Sequence, residues 1–253
     1  MRFVLSAAAA LAMIGTPLWA QWLNYPTPGI PRLANGKPNL SAPAPKAADG
    51  RPDLSGIWET ERQYFEKYAM NVAVDLKAGD VLPWAEELYR KRSPDLAKDY
   101  PGSRCLPGPR MGARGVTKII QLPALVLFLY EDSDNNWRQI YMDGRTLPED
   151  PQPIWMGYSV GRWDGGTLVV ESNGFNDTTW LDGGGHPHTE GLKITERYRR
   201  RDFGHLEVQV TFDDPKTFAK PLTIPQHRQI LADTEVLEAV CENERDVRHM
   251  VGK

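Results

Sequence analysis

The side chains best suited to chemistry are concentrated between Asn176 and Glu190. Asn176, Asp177, Trp180, Asp182, His186, His188 and Glu190 all fall within that stretch, threaded through Gly183, Gly184 and Gly185. Loops carry binding and catalytic groups more often than the scaffold that holds them, so this is the principal candidate site. In an extended chain the side chains at 186, 188 and 190 project to one side. Two imidazoles and a carboxylate there form a set able to hold Zn²⁺, Fe²⁺ or Mn²⁺ with positions open to water or substrate. Without a metal the same groups suit acid–base work: an imidazole titrates near neutrality and Glu190 or Asp177 would fix its tautomer, which makes His188 a proton shuttle for a hydrolase, lyase or isomerase. The plainer alternative has both histidines capping backbone groups and Glu190 in a salt bridge; Pro187 favours a loop or sheet edge. Trp180, between Asp177 and Asp182, is placed to stack on a ligand ring, and Asn176 adds a polar contact.

Two further places could bind. Tyr141, Asp143 and Arg145 surround an Asp143-Gly144 turn, where Arg145 could clamp a carboxylate or simply pair with Asp143. Glu196 shares a strand face with Leu192, Ile194 and Tyr198. If that face is interior, Glu196 is a buried carboxylate that needs a partner such as Arg162.

Other chemistries are disfavoured. No phosphate-cradling loop, dinucleotide fingerprint, His-Glu-x-x-His or Gly-x-Ser-x-Gly elbow occurs. A net charge of −3 and a pI near 6.0 leave no basic footprint for nucleic acid. Within the arginine cluster at 197, 199, 200 and 201, alternate residues share one strand side, as on a solvated outer face.

The elements that must position these groups are mostly strands. Val116–Gln121, Ala124–Tyr130, Trp137–Met142, Trp155–Trp163, Thr167–Ser172, Leu192–Arg201, His205–Phe212, Leu222–Leu231 and Glu235–Glu242 are separated by turn-formers, with Asp164-Gly165-Gly166 a strong hairpin signal. One short amphipathic helix is expected from Pro83 to Arg92. The whole predicts a mainly β chain: an antiparallel meander closed into a barrel, with a β-sandwich as the alternative.

Gly56-Ile57-Trp58 resembles the Gly-x-Trp with which lipocalins and other calycins open their barrel, and that resemblance implies a ligand cavity. The phrases Trp155-Met156-Gly157-Tyr158-Ser159-Val160-Gly161-Arg162-Trp163 and Gly185-His186-Pro187-His188-Thr189-Glu190, with Arg138–Arg145 and Gly174–Asp177, resemble an uncharacterised family of secreted bacterial β-rich proteins. That second resemblance implies export and transfers no activity.

The N-terminal residues 1–20 read as a signal peptide cleaved after Ala20. Residues 21–53 form a proline-rich extended leader, and residues 54–253 a single barrel-like domain. No segment has the roughly 20 apolar residues of a membrane span. In the oxidising periplasm or outside the cell, Cys105 and Cys241 are expected to form a disulfide. The expected partner is a small, partly apolar molecule, carried or turned over.

Overall fold

Residues 26–94, 99–109, 111, 115–131, 137–237, 239 and 241 are described by a computed structural model. Alternation of inward and outward side chains gives the strands a buried and a wetter face, most cleanly in β8 (His205–Asp213), where Leu206, Val208, Val210 and Phe212 are buried. It is preceded by β1 (Gly56–Thr60), β2 (Thr117–Gln121), β3 (Leu125–Tyr130), β4 (Trp137–Tyr141), β5 (Tyr158–Asp164), β6 (Thr167–Asn173) and β7 (Lys193–Arg200), and followed by β9 (Leu222–Ile230). These strands form a closed barrel in sequence order, with β1 hydrogen-bonded to both β2 and β9. Closure leaves no free sheet ends, and the mainly β barrel is consistent with the lipocalin-like architecture; the sandwich alternative is not what forms.

Three expectations need correction. The meander is not antiparallel throughout: β4 and β5 run parallel and meet through one pair, Tyr141 opposite Val160. Parallel neighbours need a long connection, and residues 142–157 supply one, carrying Pro148, Pro151 and Pro153 and bridging Ile154 to Phe175. Among the described residues there are two α-helices, not one: α1 (Arg62–Tyr68) precedes α2 (Pro83–Arg92). In α1 only Tyr68 is buried, so it has no apolar stripe to read. The segment expected as a strand at 235–242 is not one at 235–237, 239 and 241, and its other residues, like the signal segment 1–20, lie outside the described residues.

The barrel's two ends differ. At one, Trp58 is fully buried with Nε1 donating to Leu54 O at 2.9 Å. The Arg200 guanidinium lies 4.8 Å from the Trp58 ring and 5.1 Å from that of Phe203, donating to the carbonyls of Asp53 and Phe203. Burial lowers its pKa to about 10, which leaves it charged at neutral pH. The proline-rich chain crosses this end, with Phe203 N–H donating to Ala42 O and Gly204 N–H to Leu40 O. The other end is polar and carries the candidate site. Cys105 and Cys241 are bridged, 136 residues apart in sequence. No helix among the described residues is long and apolar enough to cross a membrane.

Candidate functional site

The inward parity of β4, β5, β6, β7 and β9 places polar side chains where a barrel interior is normally apolar. Arg138, Ser159, Ser172, Glu196, Gln226 and Arg228 are all buried there. Arg138 donates from Nε to Ser159 Oγ at 3.0 Å and from Nη2 to Ser172 Oγ at 2.8 Å, and the two serine hydroxyls are 2.9 Å apart. Its Nη2 also lies 2.6 Å from Glu196 Oε2 in a buried ion pair. The Tyr198 hydroxyl donates to the other oxygen, Oε1, at 2.5 Å. Burial raises the Tyr198 pKa well above that of a free phenol and the Glu196 charge adds to it, so the hydroxyl stays a donor. For Arg138, burial is the largest single influence and pulls the pKa down, but the Glu196 charge and hydrogen bond together with Tyr130 and Tyr198 outweigh it, and the guanidinium titrates above its ordinary value. Glu196 is thus the buried carboxylate anticipated from its strand face, but its partner is Arg138. Arg162 instead faces outward, 3.8 Å from Glu171.

Outside this chain of side chains lies a cleft of about 430 Å³ between the first half of β4 and residues 154–158. Trp137, Tyr141, Ile154, Trp155, Met156 and Tyr158 line it, and Arg138 and Ser159 reach it from the interior strand positions. The cleft follows from the single β4–β5 pair: past Tyr141 and Val160 the two segments diverge. Gly161 permits their one close approach, since a Cβ there would sit 3.0 Å from Ile140 Cγ2. Tyr141, singled out by sequence, belongs to this cleft. Arg145 stacks on the Tyr141 ring at 3.8 Å and is paired with Asp143, holding that carboxyl's pKa below the usual range.

The loop from Asn176 to Glu190 is built differently from its sequence-level expectation. Asp182 Oδ1 accepts the N–H groups of Gly184, Gly185 and His186, and Oδ2 accepts Val72 N–H and lies 2.5 Å from His186 Nδ1. The His186 ring stacks on Tyr89 at 3.8 Å. His188 donates from Nδ1 to Thr189 O at 2.9 Å, which leaves Nε2 an acceptor 2.6 Å from Thr179 Oγ1, whose single proton is also within reach of Asn176 O at 3.0 Å. Burial lowers the His188 pKa, so the ring is neutral at pH 7. Trp180 is buried rather than free for a ligand, with the Arg92 guanidinium 4.8 Å from its ring. Asn176 Oδ1 accepts from Thr178 N–H in a local turn. Asp177 and Glu190 are exposed while His186 and His188 are buried, so the structure does not bring His186, His188 and Glu190 together as a ligand set. Among the described residues no three His, Cys, Asp or Glu side chains are disposed to hold a metal ion.

Sequence reasoning missed Arg138, Ser159, Ser172, Gln226 and Arg228. The signal was present in strand parity: Arg138 alternates with Ile140, Ser172 with Leu168 and Val170, and Gln226 and Arg228 with Ile224 and Ile230, so each polar residue sits on the apolar side of its strand. Comparisons with protein-family models, with curated proteins and with solved structures find no match, and the geometry alone bears on function.

Proposed function

We propose that this chain is an exported small-molecule-binding barrel whose ligand is partly apolar and lies in the cleft between β4 and residues 154–158. One observation carries this: an aromatic-walled cavity of about 430 Å³, within the usual range for small-molecule sites, with Arg138 and Ser159 of the buried polar chain at its inner side. Trp137 is 56% exposed on the open wall, an unusual investment of a large aromatic unless it contacts something. Export is supported by the signal-like N-terminal residues and by the Cys105–Cys241 bridge, which suits an oxidising compartment.

The test uses 1-anilinonaphthalene-8-sulfonate as the apolar probe. The mature protein should bind it one to one, and Trp137→Ala should weaken binding roughly tenfold with an unchanged melting temperature. Equal binding by the two proteins, or binding without a defined stoichiometry, would remove the cleft from consideration.

A hydrolase, lyase or isomerase role is a second proposal, favoured by the Thr179–His188 pair. A neutral imidazole with its Nδ1 proton held by a backbone carbonyl and its Nε2 facing a hydroxyl is the arrangement of a base and a nucleophile. His188→Gln should then abolish turnover in a substrate screen, whereas an unaltered rate excludes it.

A further inference from the structure

A guanidinium buried in a protein is normally matched by a carboxylate, because an unpaired charge there carries a large desolvation cost. Arg228 is 3% exposed, yet among the described residues its hydrogen bonds are 3.4 Å to Thr117 Oγ1 and 3.2 Å to Gln226 Oε1, and its Nε–H meets no acceptor there. Both bonds are long for N–H···O contacts. Arg138, at the same end of the barrel, gives Nη1 to the Met111 thioether at 3.5 Å, a weak acceptor. Among the described residues these two cations share the polar end with one carboxylate, Glu196, and with Tyr198, which stays protonated. Counted over the described residues, the positive charge is in excess by one.

Met111 stands between the two arginines. It is 2% exposed, its Sδ faces Arg138, and its carbonyl accepts from Gln226 Nε2 at 2.7 Å, while Gln226 in turn holds Arg228. The methionine side chain has the same count of heavy atoms as acetate. We propose that the polar end of the barrel is a binding site for a small monocarboxylate, which takes the Nε–H of Arg228 and displaces the Met111 thioether from Nη1 of Arg138. One negative charge answers the surplus, and an oxygen replaces sulfur as acceptor. This site shares Arg138 with the aromatic cleft but rests on Arg228 and Met111, which do not line it, so the Arg228 signal tests it apart from the cleft.

The experiment follows the arginine Nε–H signals of the wild-type mature protein by ¹H–¹⁵N correlation during titration with sodium acetate, with sodium chloride and sodium sulfate at equal ionic strength as controls. Arg228→Lys assigns the signal. The expected result is a saturable shift of the Arg228 signal with acetate alone. Met111→Ala should bind acetate roughly tenfold tighter, having no thioether to displace. An Arg228 signal that does not respond to acetate overturns the proposal. An equal response to sulfate overturns the carboxylate assignment. If Arg228→Met folds, it must lose the acetate-dependent rise in melting temperature; a retained rise places the anion elsewhere and is equally fatal.

Discussion

Five hydrogen bonds converge on the Asp182 carboxylate: four from backbone N–H groups and one from His186. Gly184 and Gly185 are required beside it, since a Cβ on Gly185 would lie 2.8 Å from Arg92 Cβ and one on Gly184 would meet the backbone of Met70. Glycines and ionisable groups close together therefore mark a tight structural loop here as readily as they would mark a catalytic one. Asp182→Ala leaves those buried donors unsatisfied, and the expected loss is about 3–5 kcal/mol in urea unfolding; a loss under about 1 kcal/mol would mean that the loop holds without its acceptor. His188 supplies a pH signature. Its folded-state pKa is lowered by burial, so between that value and the unfolded value near 6.5 only the unfolded chain takes up the proton. Stability contributed by this residue is complete above the unfolded pKa and falls as the pH drops through the window below it, by at most about 1.4 kcal/mol per pH unit. Unfolding of wild type and His188→Gln compared at pH 7.5 and 5.5 reads this directly. The wild type should lose more on acidification, and parallel losses would show that His188 takes its proton equally well when folded.

At the scale of elements, period-two patterning was legible because one face of each strand is buried, and so the hairpin at Asp164-Gly165-Gly166 and most strand limits could be read. The parallel β4–β5 seam was not legible, since relative strand direction depends on the path of residues 142–157 and not on the side chains of either strand. The polar end was legible only through parity: Arg138 and Arg228 look like outer-face residues by type, and only Ile140, Ile224 and Ile230 put them on the inner face. Glu196 could be flagged because Leu192, Ile194 and Tyr198 fix its face, but its partner lies on a strand far away in sequence. The seam is the weakest join in the barrel, and Gly161 sets how closely its two sides approach. Gly161→Ala puts a methyl group 3.0 Å from Ile140 Cγ2 and against the Met142 sulfur, and overpacking of this kind costs about 1–3 kcal/mol. The distinguishing result is local: amide exchange in β4 should accelerate more than in β8, which pairs along its length with β7 and β9. A uniform increase over all strands would mean that the seam is no weaker than the rest.

For the whole molecule, composition predicted an extended leader but could not say where it would lie, because prolines exclude hydrogen-bonded helix and central strand without choosing a surface. The structure lays residues 26–53 across the end closed by Trp58 and Arg200. Reciprocal bonds between Thr27 and Asp233, the Arg32–Asp233 ion pair and the Leu40 and Ala42 carbonyls hold it there. This strap covers the buried Phe203 and supplies acceptors for backbone donors of the β7–β8 turn, so the barrel end and the leader are complementary surfaces. Their closest approach is at Gly204, where a Cβ would lie 2.5 Å from Leu40 Cβ and 2.9 Å from Leu40 Cα. Backbone cannot yield as a flexible side chain does, so Gly204→Ala must push the strap outward and break the Gly204 N–H to Leu40 O bond. The strap carries the Arg32-Leu33 and Lys46-Ala47 bonds, whereas Lys37 and Arg51 are each followed by proline and resist trypsin, so cleavage at the first two is a direct reporter of its docking. In the wild type these sites should resist cleavage while the strap is seated, and in Gly204→Ala they should be cut several-fold faster with the barrel itself intact. Equal cleavage rates would mean that the strap adjusts to the added methyl or is released independently of this contact. Faster cleavage confined to the two strap sites would establish that the leader is held by this barrel end and that the close approach at Gly204 is what seats it.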